Sequence, residues 1–276
     1  MIPKEKQAAE MLLGKELKGG WKVIKKYERA PFKTGGVYSS CYEVEKEGRK
    51  GFLKAFDYSA ADKVGKSFPD QMKDILNAYT FEREILEKCY VNRCKNVIQL
   101  IDYGDLEITD ADKYPRVDYL ILEYAQKGDV RNALQENRAT LEWKLRSLHQ
   151  LTKGLRQIHN IFIAHQDVKP SNIVTLENGI TKITDLGSAI SLNYEGKDLP
   201  PHLEKPFSGT WEYAPPELLY GEINNDSIIR RIGCDLYLLG SMIAFYFTDM
   251  SMTSLIKANL EDALCWTNPS TYGKYD

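Results

Sequence analysis

The sequence predicts an α+β chain with a first half of antiparallel strands and a mainly helical second half. Three observations predict it. Trp21 to Phe56 reads as strand segments, WKVIKKYERAP, SCYEVEKEG and RKGFLKAF, with a Gly35-Gly36 pair between the first two. Leu141 to Asn160 repeats Leu141, Leu145, Leu148, Leu151, Leu155 and Ile158 at helical spacing, which is the pattern of an amphipathic core helix. Leu236 to Phe247 is the most apolar run; it is too short to span a bilayer and fits a buried helix. At 276 residues the chain is long enough for one large domain or two lobes, and its 43% hydrophobic and 28% charged fractions are those of a globular protein.

A net charge of -2 provides no global basic field for nucleic acid or a membrane surface. The five cysteines (Cys41, Cys89, Cys94, Cys234, Cys265) lack metal-ligand spacing and read as free thiols of a reducing compartment. Lys4, Glu5, Lys6 and Glu10 leave no apolar signal core at the start, so a cytoplasmic protein is expected.

Taken in order, residues 1–20 read as a helical extension, with Met11, Leu12 and Leu13 apolar and Gly19-Gly20 closing it. Lys54 alternates with apolar neighbours along GFLKAF, an unusual place for an idle surface charge. It needs a carboxylate partner. DQMKDILNAYTFEREILEKCY supplies a helix with Ile75, Tyr79, Leu86 and Tyr90 on one face. Glu82 falls on that stripe, whereas Glu84 points about 200° away, so Glu82 is the partner chosen and Glu84 the fallback. NVIQLIDYG and VDYLILEYA read as two further strands joined by a polar surface hairpin, whose acidic residues Asp105, Glu107, Asp110 and Asp112 read as a solvated loop.

The stretch His165 to Gly187, HQDVKPSNIVTLENGITKITDLG, carries the chemistry. Ile173, Val174 and Leu176, the turn Glu177-Asn178-Gly179, and Ile180 with Ile183 spell a β-hairpin. A hairpin brings its open ends together, so Asn172 is expected beside Asp185, with Asp167 in a loop that Pro170 keeps from being helical. An amide and a carboxylate side by side suit Mg²⁺, a hard cation that takes oxygen ligands. A separate carboxylate with Lys169 nearby suits a base acting next to a phosphate. These residues describe a phosphoryl-transfer centre.

HQDVKPSN followed by DLG resembles the catalytic loop and metal-binding motif of eukaryotic-type protein kinases, written HRDxKxxN and DFG. The resemblance implies a two-lobed protein-kinase-like fold: an N-lobe over 21–124, with a small antiparallel sheet and one helix, and a mainly helical C-lobe over 125–276. It implies ATP and Mg²⁺, with Asp167 as base, Lys169 on the transferred phosphate, and Asn172 and Asp185 on the metal. Lys54 and Glu82 would match the strand lysine and its helix glutamate. Gly35 and Gly36 would stand in the glycine-rich loop, although Thr34 and Ser39 replace its outer glycines and Cys41 its valine. Phe52 replaces the alanine two residues before the lysine and would crowd the adenine pocket. Adenine would meet the backbone of Glu123 and Ala125, with Leu122 behind it. Asp129 would take the ribose or cap a helix; both readings stand.

GTWEYAPPE resembles the substrate platform GTxxYxAPE, with Gly209, Thr210 and Glu217 in place and Pro215 replacing alanine. Gly209-Thr210 and Lys169 mark the Ser/Thr form. His165 and Asp235, the latter in CDLYLLG, would be structural, and His159 reads as a packing or capping residue. Ser188, Ser191, Tyr194, Ser208 and Thr210 are candidate phosphorylation sites, yet Gln166 stands where regulated kinases carry a phosphate-pairing arginine, so a loop active without phosphorylation is expected. No arginine follows Arg231 to pair with Glu217, so the C-lobe reads as shortened. Missing helices would leave apolar surface for further chain or a partner. The partner otherwise implied is a protein substrate, with no nucleic acid and no membrane. Two other readings are a scaffolding pseudokinase, favoured by the glycine loop, Phe52 and the short lobe, and a small-molecule phosphotransferase, disfavoured by GTWEYAPPE.

Overall fold

The computed structural model describes residues 7–28, 39–58, 67–112, 114–135, 139–193 and 207–267. The chain divides into two compact units, Met1–Tyr90 with Ile98–Tyr124, and Val91–Val97 with Ala125–Asp276. The first unit is built on β1 (Glu16–Leu17), β2 (Trp21–Lys26), β3 (Ser39–Lys46), β4 (Arg49–Phe56), β5 (Leu100–Glu107) and β6 (Arg116–Glu123). They form one antiparallel sheet in the order β1-β2-β3-β4-β6-β5.

Alternation assigns the two faces. Val23, Tyr42, Val44, Leu53, Ala55, Val117, Tyr119 and Ile121 are buried together on one of them. Along the end of the strands Glu16, Lys22, Glu45 and Lys50 stand directly opposite one another in register. Opposite charges in facing positions favour this register.

Residues 8–20 depart from the expected helix. Ala8–Glu10 is a single 3-10 turn, and Glu16–Leu17 is an edge strand paired with Trp21–Lys22. Gly14 is the physical reason: its φ of +80° breaks any helix begun before it, and its N–H donates to the Val23 carbonyl at 2.9 Å. Gly19 and Gly20, at φ +79° and +81°, form the tight connection into β2 rather than a helix end. Ala8, Ala9 and Leu12 join the core of this face, and the Tyr42 hydroxyl donates to the Ala9 carbonyl at 2.7 Å.

Helix α1 (Phe68–Val91) buries Ile75, Tyr79, Glu82 and Leu86. Tyr90, expected on that stripe, is 62% exposed at the last turn, where the chain passes into the second unit. The β5–β6 connection is not wholly a solvated loop either. Ile108 is buried in the core, and Asp105 lies in β5 and pairs with Lys18 at 2.9 Å.

In the second unit, α3 (Leu141–Asn160) starts on Thr140, whose hydroxyl oxygen accepts from the Trp143 N–H at 3.2 Å. Leu148, Leu151, Leu155 and Ile158 are buried, but Leu141 and Leu145 are exposed. At its start the helix meets α5 (Ser227–Thr248) through Trp143, stacked on Tyr246, and Ser147, bonded to the Tyr246 hydroxyl. Leu145 lies two residues from Trp143, about 200° around the helix, and so faces away.

Residues 91–97 pack here rather than with the strands. The Asn96 N–H donates to Gln157 Oε1 at 3.0 Å, and its carbonyl accepts from the Ile183 N–H at 2.9 Å. Gly154 makes room: a Cβ on it would lie 2.9 Å from the Asn96 carbonyl. Helix α5 starts on Asp226, which accepts from the Ile228 and Ile229 N–H groups. It buries Leu238, Met242, Phe245 and Tyr246, while Ile229, Leu236, Ile243 and Phe247 stay exposed, so the run expected to be buried is buried on one side only. Helices α2 (Val130–Gln135), α4 (Pro216–Leu219) and α6 (Met252–Asn259) complete the unit's helices among the described residues.

Candidate active site

In the second unit, after the short β7 (Ile163–Ala164), β8 (Ile173–Thr175) and β9 (Thr181–Ile183) pair antiparallel, Ile173 opposite Ile183. Gly179, at φ +79°, makes the turn possible. At the open end the Thr184 N–H donates to the Asn172 carbonyl at 2.9 Å, so Asp185 is the next residue beyond a closed pair. Asp185 itself is left-handed, at φ 60°. Upstream, Pro170 does not exclude helical geometry: it opens a one-turn 3-10 helix, Pro170–Asn172, at a position where its missing N–H is not needed. Its steric effect falls on Lys169, held extended at φ -151°.

Asp167 is buried and accepts three hydrogen bonds. Its Oδ1 takes the Thr210 N–H at 2.8 Å, and its Oδ2 takes Asn172 Nδ2 at 3.0 Å and Lys169 Nζ at 2.8 Å. Lys169 Nζ also donates to the Thr210 hydroxyl at 2.6 Å. Asn172 gives its amide nitrogen a second time, to the Asp167 carbonyl at 2.9 Å. The Asn172 side-chain carbonyl oxygen is thereby turned away from Asp167.

The loop is held from behind by Asp235, which is fully buried. Asp235 accepts from the His165 and Gln166 N–H groups, both at 2.7 Å, and lies 2.8 Å from His159 Nε2. A buried carboxylate is tolerable when its lone pairs are occupied in this way. His165, also fully buried, spans the loop and the hairpin. Its Nδ1 accepts from the Asp167 N–H at 3.2 Å, which leaves Nε2 to donate to the Thr184 carbonyl at 3.1 Å. Gln166 sits at φ +66° and turns its side chain inward, donating to the Arg231 carbonyl at 2.8 Å and accepting from the Arg231 guanidinium at 3.2 Å. Burial lowers the Arg231 pKa to about 10. Nothing in the sequence marks Arg231 for this place, because a basic residue at the head of an amphipathic helix carries no sign that it will be buried.

Gly209 stands where no side chain fits: a Cβ would lie 2.1 Å from the Gln166 carbonyl. Glu217 is exposed and has no ion pair among the described residues.

In the first unit Lys54 Nζ meets Glu82 Oε1 and Oε2 at 2.9 and 2.8 Å, with only 12% and 3% of their side chains exposed. Glu82 is the partner, not Glu84. Leu122 is buried, and the Glu123 N–H donates to the Gln99 carbonyl at 2.9 Å. In the second unit, the Ala125 N–H has no acceptor among the described residues. Asp129 accepts from the Asn132 N–H at 2.9 Å, the geometry of a helix cap at the start of α2. Gly35 and Gly36 lie outside the described residues, as does Tyr194.

The donor sets fit the groups that the sequence implies. A hard divalent cation takes amide and carboxylate oxygens, and Asn172 presents an amide oxygen not used on Asp167, next to the paired residue preceding Asp185. A partly buried lysine anchored by a carboxylate suits a phosphate chain. An aspartate with both oxygens oriented, backed by a rigid buried carboxylate, suits proton transfer from a hydroxyl.

A six-stranded antiparallel unit, a mainly helical unit and this loop define a two-lobed kinase fold. A family model described as "Protein kinase domain" matches residues 35–264, and the chain belongs to that family. It is 32% identical over 173 residues to serine/threonine-protein kinase GIN4 of Saccharomyces cerevisiae, a match covering 62% of this chain and 13% of that protein. It is 30% identical over 146 residues to Aurora kinase B of Mus musculus, covering 52% and 36% of the two chains. It is 27% identical over 244 residues to Aurora/IPL1-related protein kinase 2 of Caenorhabditis briggsae, covering 84% and 75%. The chain thus spans well under two thirds of the first two relatives' length.

Proposed function

We propose that the chain is an ATP-dependent serine/threonine protein kinase that transfers the γ-phosphoryl group to a protein hydroxyl. The observation that carries the reading is the convergence of Thr210, Lys169 and Asn172 on the Asp167 carboxylate. Held by these donors, Asp167 orients the acceptor hydroxyl and takes its proton as the new P–O bond forms and the bond from the γ-phosphorus to the β,γ-bridging oxygen breaks, releasing ADP. Lys169 is positioned to follow the transferred phosphate, and Lys54, fixed by Glu82, to hold the α- and β-phosphates. Asn172 and Asp185 hold Mg²⁺, which supplies charge neutralisation of the phosphates. Leu122, Glu123 and Ala125 receive the adenine, Gly35 and Gly36 cover the phosphates, and Asp129 takes the ribose while capping its helix. Gly209, Thr210 and Glu217 present the polypeptide substrate.

The 21–124 and 125–276 portions are read as the two kinase lobes, and a cytoplasmic location is proposed with them. The exposed stripe Ile229, Leu236, Ile243 and Phe247 is read as the seat of an amphipathic helix from further chain or a partner. Gly233 and Gly240 fall on the same stripe, and a Cβ on either would meet nothing within 4 Å, which lets a second helix come close.

Radiolabelled ATP with a generic basic protein substrate tests the activity, with Asp185→Ala and Asp167→Ala as controls. Transfer by wild type and its loss in both variants is expected. Wild type no better than Asp185→Ala would instead favour a scaffold, and label confined to metabolites would favour a small-molecule phosphotransferase. Phosphatase treatment should leave the activity intact, since Gln166 and Arg231 occupy each other.

A further inference from the structure

The face of the sheet that carries Lys54 holds a second polar cluster, which no catalytic role absorbs. Register puts Glu43, Phe52 and Leu122 directly opposite one another across β3, β4 and β6, and Cys41 and Lys54 one row along on the same face. Glu43 is only 5% exposed, a costly place for a carboxylate without donors. It has three. The hydroxyls of Tyr27 and Tyr124 reach its Oε2 at 3.1 and 3.0 Å, and Lys50 Nζ reaches its Oε1 at 2.6 Å. The two hydroxyls also lie 3.1 Å from each other. Tyr27 stacks on Phe52, with ring centroids 5.9 Å apart and planes 29° apart. Lys25 and Lys50 lie over the Tyr27 and Tyr124 rings, at 5.4 and 5.6 Å.

The arrangement joins three places the chain would otherwise leave independent. Tyr27 follows β2 and lies just before the glycine-bearing segment, Phe52 stands two residues from Lys54, and Tyr124 follows the last residue of β6. A stacked pair on an open sheet face would lose its geometry to rotamer exchange; one hydroxyl anchored on a buried charge prevents that. The phenylalanine in place of a small residue thus has a partner built for it.

We infer that Glu43 is a positioning residue for the nucleotide's base, its carboxylate fixing the Tyr27–Phe52 pair as the aromatic surface on which a purine lies. This rests on the reading of Lys54 as the phosphate-holding lysine. Flat aromatic bases stack on such a surface without needing a specific edge pattern. The two tyrosine hydroxyls meanwhile keep strand β2 and the end of β6 in register with it. Glu43 touches no substrate; it acts through Tyr27 and Phe52.

The test measures Mg-ATP binding by isothermal titration, and KM for ATP and kcat, in wild type, Tyr27→Phe, Tyr124→Phe, Phe52→Ala, Glu43→Leu and Glu43→Gln. Thermal melting accompanies each as a check on folding. Each tyrosine variant is expected to raise Kd and KM for ATP roughly five- to tenfold, the scale of one ordinary hydrogen bond, with kcat within about twofold. Phe52→Ala should do the same through lost stacking. Glu43→Gln, which keeps an acceptor for the hydroxyls, should recover most of the affinity lost in Glu43→Leu, a rescue that a merely structural role would not produce. Unchanged ATP affinity in folded Tyr124→Phe and Phe52→Ala overturns the inference while leaving the kinase reading intact. Wild type that binds no Mg-ATP overturns both, and is recognised by failing before any variant is compared.

Discussion

Gly209 shows how much one missing side chain decides. Its neighbour Thr210 donates its N–H to Asp167, and any Cβ on Gly209 would collide with the backbone carbonyl of Gln166, whose peptide plane is held by the Asp167 N–H donated to His165 Nδ1. Gly209→Ala is therefore expected to pull Thr210 off Asp167. Phosphoryl transfer should fall by roughly 10²-fold, the scale of a misplaced catalytic group, with Mg-ATP binding by titration unaffected. Lys54 and Glu82 make the opposite point, about charge. Lys54→Ala removes both hydrogen bonds that Lys54 gives a nearly buried carboxylate and should cost about 3–5 kcal/mol in urea denaturation, whereas replacing both residues by apolar ones should cost much less. Equal losses in the single and double variants would show the pair to be energetically idle.

At the scale of elements, α3 separates propensity from packing. Its leucines share a helical repeat, yet only those from Leu148 onward are buried. Leu151→Ala should cost roughly 2–5 kcal/mol, and Leu141→Ala within about 0.5 kcal/mol. Chemical denaturation of the two variants distinguishes them, and equal effects would mean that the first turns of α3 are covered in solution. The N-terminal segment is the second case. Leu12 is fully buried on the sheet beside Ala8 and Ala9, so Leu12→Ala should destabilise on the scale of a core residue, roughly 2–5 kcal/mol, despite its place near the start of the chain.

For the whole molecule the questions are its exposed surface and its response to acid. Ile229, Leu236, Ile243 and Phe247 line one side of α5, with Lys144 lying over the Phe247 ring. A contiguous apolar stripe of this kind marks an interaction site or an aggregation liability. Ile243→Glu is expected to lower light scattering and binding of a hydrophobic dye without changing the melting temperature. An unchanged dye signal would argue against an accessible stripe. For acid, burial raises the Glu43 pKa, but hydrogen bonds from Lys50, Tyr124 and Tyr27 outweigh that and leave it below its usual value. A depressed carboxylate contributes stability above its unfolded pKa, about 4.3, and loses it as pH falls through the folded value. The gap in unfolding free energy between wild type and Glu43→Gln should thus be full near neutrality and close below about pH 4.

The α+β class, the strand segments, the hairpin after Asn172 and the Glu82 partner were legible in the sequence, because each follows from a local repeat or a turn of fixed chemistry. Alternation of period two places Lys54 on one face, and a helix of period 3.6 puts Glu82, not Glu84, on the stripe that meets it. What only the tertiary structure decided involves residues far apart in the chain whose meeting no repeat encodes. Glu16 and Leu17 form an edge strand because Gly14 turns the chain against β2, and Leu141 and Leu145 are exposed because α5 lies on another side of their helix. Arg231 ends up buried against Gln166, and Glu43 draws in Tyr27, Tyr124 and Lys50. Periodicity says which way a side chain points; the partner it finds there depends on how distant segments pack, and burial and hydrogen bonding are settled at that step.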